Sequence, residues 1–126
     1  MKLDYLLADP SGNKTILVLT PVPKEQHSTL AAQLLARSDI DAEQVGYVTC
    51  VEGKTLRVDM MGGEFCGNAS RAAAAYALSC DGKEQGVYGV SCSGCDEILP
   101  VKVNHKGGGD YEALSRCLIP TASGLF

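Results

Sequence analysis

Three features predict a mixed α+β fold, with strands gathered around one buried helix, for this chain of 126 residues. Short β-branched or alternating runs recur between turn clusters. One long helical stretch, Gly67 to about Leu78, is small or apolar almost all round, which marks a helix covered on every side. The length suits one domain over residues 1–126, with enough chain to bury a core.

The elements follow in order. Residues 2–8 are apolar and strand-like, and end at the turn cluster Asp9-Pro10-Ser11-Gly12-Asn13. Thr15 to Leu19 is a β-branched run, short enough to be a strand covered on both faces, closed by Pro21 and Pro23. A helix is predicted from about Ser28 to Arg37, capped by His27 or Ser28, with Leu30, Ala31, Leu34 and Leu35 as its apolar stripe. Strands resume at Val45–Val51 and, after Gly53, at Leu56–Met60. The run Gly-Asn-Ala-Ser-Arg-Ala-Ala-Ala-Ala-Tyr-Ala-Leu then predicts the central helix, because alanine is the best helix former. Past the Asp81-Gly82 turn, strands are expected near Gly86–Cys92, Glu97–Asn104 and Tyr111–Ile119, with Gly107-Gly108-Gly109 as a flexible loop. Pro100 suggests an edge or a bulge, and Thr121 to Phe126 read as an exposed end or linker.

Composition narrows the function classes. The chain is 45% hydrophobic and 21% charged with a net charge of −4, and lacks a Lys/Arg cluster, which argues against nucleic-acid or anionic-membrane binding. The apolar run at the N-terminus is too short for a signal peptide or a membrane span, so a cytoplasmic address is expected. In that compartment the six cysteines, Cys50, Cys66, Cys80, Cys92, Cys95 and Cys117, are not expected to form disulfides, and most read as small buried hydrophobes.

Chemistry concentrates in Met60-Met61-Gly62-Gly63-Glu64-Phe65-Cys66-Gly67-Asn68-Ala69-Ser70-Arg71. A cysteine at the mouth of a helix meets unpaired N–H groups and a partial positive charge, which together favour an anion. Such a thiol is expected to titrate below the usual value of about 8.5. Gly67 leaves the N–H groups open to a ligand. A carboxylate held there would sit beside a basic sulfur, an arrangement suited to removing the α-proton of an amino acid. A buried cysteine that merely starts a helix fits the same residues.

Glu64 to Arg71 resembles the Cys-Gly-Asn-Gly-x-Arg motif of the diaminopimelate epimerase-like family, and the fuller Met-Gly-Gly-Glu-Phe-Cys-Gly-Asn-Ala form is similar to its histidine-racemase-like members. Ser11-Gly12-Asn13-Lys14-Thr15 resembles the family's Gly-x-Gly-Asn-Asp-Phe segment, and the resemblance covers nearly the whole chain. It implies a barrel of mostly antiparallel strands around a central helix, the first of two facing domains. It also implies cofactor-independent chemistry, with Cys66 as one of two thiol acid/bases, Gly67 and Asn68 holding the substrate carboxylate, and Asn13 contacting substrate. Ala69 and Ala72 depart from the motif, and Asp59-Met60-Met61-Gly62 replaces an asparagine-bearing segment, which puts diaminopimelate itself in doubt as substrate. The second cysteine is then expected from a second domain or from another copy of the chain in a two-fold dimer. The alternatives are a proton-shifting isomerase of a carboxylic acid on the same fold and a non-catalytic carboxylate-binding domain.

The remaining signals read as structural. Cys92 and Cys95 have Cys-x-x-Cys spacing, but no second close pair completes a zinc site and no helix opens there, so they are expected to be turn cysteines. Asn68-Ala69-Ser70 matches a glycosylation pattern by accident. His27 and His105 are expected at the surface, and Arg71 in a structural pair with Glu64.

Overall fold

A computed structural model describes residues 3–9, 14–37, 39–50, 55–108 and 110–115 of the chain. Seven strands form one sheet in chain order: β1 (Tyr5–Ala8), β2 (Thr15–Val18), β3 (Gln44–Cys50), β4 (Thr55–Met60), β5 (Gln85–Cys92), β6 (Ile98–Gly107) and β7 (Asp110–Ser115). Among the described residues two α-helices, α1 (His27–Leu35) and α2 (Gly67–Asp81), interrupt the series, with a single 3-10 turn at Lys24–Gln26 leading into α1. Four neighbouring pairs are antiparallel, and β2–β3 and β4–β5 are parallel. The parallel pairs are those separated by a helix, since parallel strands need a crossover connection.

The two crossovers put their helices on opposite faces of the sheet. On one face α1 packs its Ala31 and Leu34 with Ile16 and Val18 of β2 and Val45 and Tyr47 of β3. On the other, Ala69, Ala73, Ala74 and Leu78 of α2 pack with Leu17, Val48, Val58, Tyr88, Val90, Val101 and Val103. Crossovers are right-handed as a rule, and the antiparallel β3–β4 pair reverses strand direction between the two units. The same hand therefore delivers the second helix to the reverse side. β2 lies between both layers and is buried along its whole length, as its unbroken apolar run predicts.

The sheet curls around α2, which touches β2, β4, β5, β6 and β7. The end strands β1 and β7 face one another across a cavity of about 550 Å³ with Arg71, Ala72, Ala75, Tyr76 and Ser79 of α2 in its wall. No β1–β7 pairing occurs among the described residues, so the expected barrel is here a curled seven-stranded sheet. α2 runs past its expected end at Leu78 to Asp81, where Gly82 takes the left-handed conformation (φ 65°) and stops it. Pro100 is not on an edge strand, because β6 lies between β5 and β7, and the irregularity in β6 falls between His105 and Gly107. On the β5 side Pro100 faces Gly89. No helix among the described residues is long and apolar enough to cross a membrane.

Two consequences can be measured. Ala73 is fully buried where helix and sheet meet, so Ala73→Leu overpacks the core and should lower stability by about 1–3 kcal/mol in urea unfolding. Burial, then the Asp81 carboxylate that accepts its hydroxyl at 2.6 Å, pushes the Tyr88 phenol up to about 12. An unfolded tyrosine titrates near 10, so this contribution is complete below about pH 10 and fades as pH rises toward 12. Melting temperature should therefore fall more steeply between those pH values in the wild type than in Tyr88→Phe.

Candidate active site

β4 ends at Met60, the chain turns through Met61–Phe65, and Cys66 enters α2 as its N-cap in an extended conformation (φ −139°, ψ 109°). The cap is the sulfur itself, which accepts the Ala69 N–H at 3.4 Å. The Cys66 carbonyl receives the Ser70 N–H at 3.1 Å and the Ser70 hydroxyl at 2.9 Å. Gly67 and Asn68 then occupy the first two helical positions, whose N–H groups have no carbonyl four residues back within the helix.

A second donor reaches the sulfur from another part of the chain. Gln44 donates from Nε2 to Cys66 Sγ at 3.2 Å and to the buried Thr15 Oγ1 at 2.9 Å. Thr15 begins β2 and Gln44 begins β3, and the parallel register sets them side by side. Nothing in the sequence around Gln44 marks it, because its partners lie 29 and 22 residues away.

Arg71, one turn into α2, is 5% exposed. It donates to Asn68 Oδ1, while Glu64 accepts the Gly62 N–H at 3.0 Å. Burial lowers the Arg71 pKa and the Cys66 sulfur acts in the opposite direction, so the two groups lie within electrostatic reach. Arg71 also lies over Gly67, where a Cβ would come to 3.0 Å of the guanidinium Nη1.

The structure thus brings Cys66, Gly67 and Asn68 together and adds Gln44, Thr15 and Arg71 around them. Asn13 lies outside the described residues. His27 is not at the surface as expected: it is buried, stacks on Tyr47 at 3.7 Å and bonds the Val22 carbonyl through Nε2 at 3.0 Å. His105 is half-buried and stacks on Tyr111 at 4.7 Å. Of the four thiols described as free, Cys92 is buried, Cys66 and Cys95 are half-buried and Cys80 is exposed, so burial is less general than composition suggests. The cause is placement on the sheet: Cys92 points into the core under α2, and Cys80 ends the helix in solvent. Among the described residues no group of three or more His, Cys, Asp or Glu could hold a metal ion. A second cavity, of about 400 Å³, lies beside the Met60–Gly63 turn between Lys24, His27, Arg57, Asp59 and Ser93.

Because the sulfur is the helix cap, Cys66→Ala should destabilise the fold by about 0.5–2 kcal/mol in urea unfolding, whereas Cys66→Ser should keep most of that stability.

Comparison with known sequences gives the family. A family model described as "Histidine racemase CntK N-terminal domain" matches residues 2–123. Histidine racemases from two strains of Fusobacterium nucleatum subsp. nucleatum are 37% and 36% identical over 108 residues, which covers 83% of this chain and 39% of each relative. A histidine racemase from Staphylococcus aureus is 28% identical over 105 residues, 81% of this chain and 38% of the relative. The chain therefore spans about two fifths of the length of these curated relatives.

Proposed function

The chain belongs to the family of histidine racemase N-terminal domains, and we propose that it presents Cys66 as one of two thiol acid/bases at the α-carbon of an amino acid, with histidine as the substrate. The observation that carries this reading is the Cys66 sulfur, held by the Ala69 and Gln44 N–H groups directly before Gly67 and Asn68, whose amides begin the helix and have no carbonyl partner within it. The substrate carboxylate binds those two amides, which no side chain of Gly67 obstructs, and Asn13 contacts the substrate from the segment before β2. We read the curled sheet as the greater part of a strand barrel that holds α2 and its cap in place.

In the reaction the sulfur, as thiolate, takes the α-proton and becomes a thiol. The electron pair left on Cα delocalises into the carboxylate, where the partial positive charge of the helix end opposes its build-up. A second thiol returns a proton to the opposite face, and inversion results. This second group is assigned to a second domain or to a second copy of the chain, facing Cys66 from the other side of the α-carbon. No cofactor enters these steps.

Incubation with L-histidine in heavy water tests the reading, with α-proton loss followed by NMR and D-histidine by chiral chromatography. Exchange is expected in the wild type and should fall about 10²-fold or more in Cys66→Ser, the scale of a lost general base. Exchange with retained configuration identifies Cys66 acting alone, and inversion identifies a second acid in reach. Wild-type protein that exchanges no amino acid would refute the enzymatic reading.

A further inference from the structure

Cys92-Ser93-Gly94-Cys95 forms the turn between β5 and β6, and it packs against the loop that delivers Cys66. Ser93 is buried, and its backbone N–H donates to the Val58 carbonyl at 2.9 Å, which fixes the turn to β4. Its hydroxyl uses both of its capacities on the Cys66 loop. It accepts the Met60 N–H at 2.9 Å, where the loop leaves β4, and donates to the Glu64 carbonyl at 2.6 Å, two residues before Cys66. One side chain thereby spans the loop from its start to the threshold of the cap.

Gly94 closes the other side. Its φ is 75°, and a Cβ built on it would lie 2.5 Å from the Phe65 nitrogen and 2.9 Å from the Glu64 carbonyl carbon. Backbone therefore rests on backbone at this point, and any larger residue would push the Glu64–Phe65 peptide, directly before Cys66, away. The Cys92 thiol adds a weak contact, 3.9 Å from the Cys66 carbonyl oxygen.

We propose that Ser93 and Gly94 are positioning residues for the Cys66 thiol: they clamp Met60–Phe65 so that the sulfur meets the Gln44 and Ala69 donors. This rests on the reading of Cys66 as an acid/base, since it supplies the reason for such rigidity. A free loop could still start the helix, but the sulfur would wander from donors 3.2 and 3.4 Å away that come from separate elements.

Thiol reactivity tests the clamp without any substrate. Iodoacetamide alkylation at pH 7, quantified by peptide mass spectrometry, gives the rate at Cys66 relative to exposed Cys80 in the same molecule. Ser93→Ala should lower that ratio about threefold to tenfold, the worth of a lost hydrogen bond, and Ser93→Thr should restore most of it. Gly94→Ala should lower it as well, and provides the same reading if the Ser93 variant folds poorly. Melting temperatures are recorded alongside. A lowered melting temperature with the ratio unchanged or raised would reduce the turn to a scaffold and overturn the proposal. Because no turnover is involved, a lowered ratio in a protein that exchanges no amino acid would sustain the positioning and fail the acid/base reading instead.

Discussion

The hydrogen bond from the Ala69 amide to the Cys66 sulfur makes one atom serve two purposes. As the N-cap it satisfies a donor that α2 would otherwise leave bare, and as the proposed acid/base it must gain and lose a proton. The atom that accepts the helix amide is thus also the atom assigned to the proton transfer. The Gln44 donor adds to this, and Arg71 brings a buried positive charge within reach of the same sulfur. The chemistry of the site and the stability of the helix entrance are therefore set together.

What keeps this arrangement fixed is the enclosure of α2. Where α2 packs on the curled sheet the core contacts are made by the small Ala69, Ala73 and Ala74, with Leu78 further along, while Arg71 and Tyr76 lie in the wall of the cavity between β1 and β7. The ends of β4 and β5 lie beside the mouth of the helix, joined through Ser93 to Met60 and Glu64 and through Cys92 to the Cys66 carbonyl. The Met60–Phe65 loop, the Ser93-Gly94 turn and the heads of β2 and β3 all meet there. The two crossovers, sent to opposite faces by the reversal at β3–β4, leave α1 to cover the outside of β2 and β3.

Local rules made much of this legible before any coordinates. Alanine content placed α2 to the residue at its start and ended it three residues early, at about Leu78, while the Asp81-Gly82 turn marked where it does stop. The buried β2, the order of strands and the special position of Cys66 follow from periodicity, β-branching and helix-end electrostatics. What escaped was the long-range pairing of side chains. Gln44 is an ordinary polar residue until the parallel β2–β3 register lays it beside Thr15 and against the sulfur. His27 reads as a surface residue until Tyr47, 20 residues away, supplies a ring to stack on and a hydroxyl for its carbonyl. Arg71 suggests a pair with Glu64, yet it folds down over Gly67 onto Asn68, while Glu64 turns to the Gly62 amide. The Gln44 and His27 contacts join distant segments, which no window of sequence contains, whereas Arg71 and Glu64 each settle on a partner two or three residues away that local sequence leaves open.

The central claim is that a carboxylate docks on the Gly67 and Asn68 amides beside the sulfur. The most direct measurement is a titration of isotope-labelled protein with L-histidine, and separately with its methyl ester, followed through backbone amide resonances. The account predicts saturable shifts centred on Gly67 and Asn68 with histidine, and their loss with the ester, which lacks the carboxylate. Equal responses to both compounds, or shifts centred elsewhere in the fold, would contradict it.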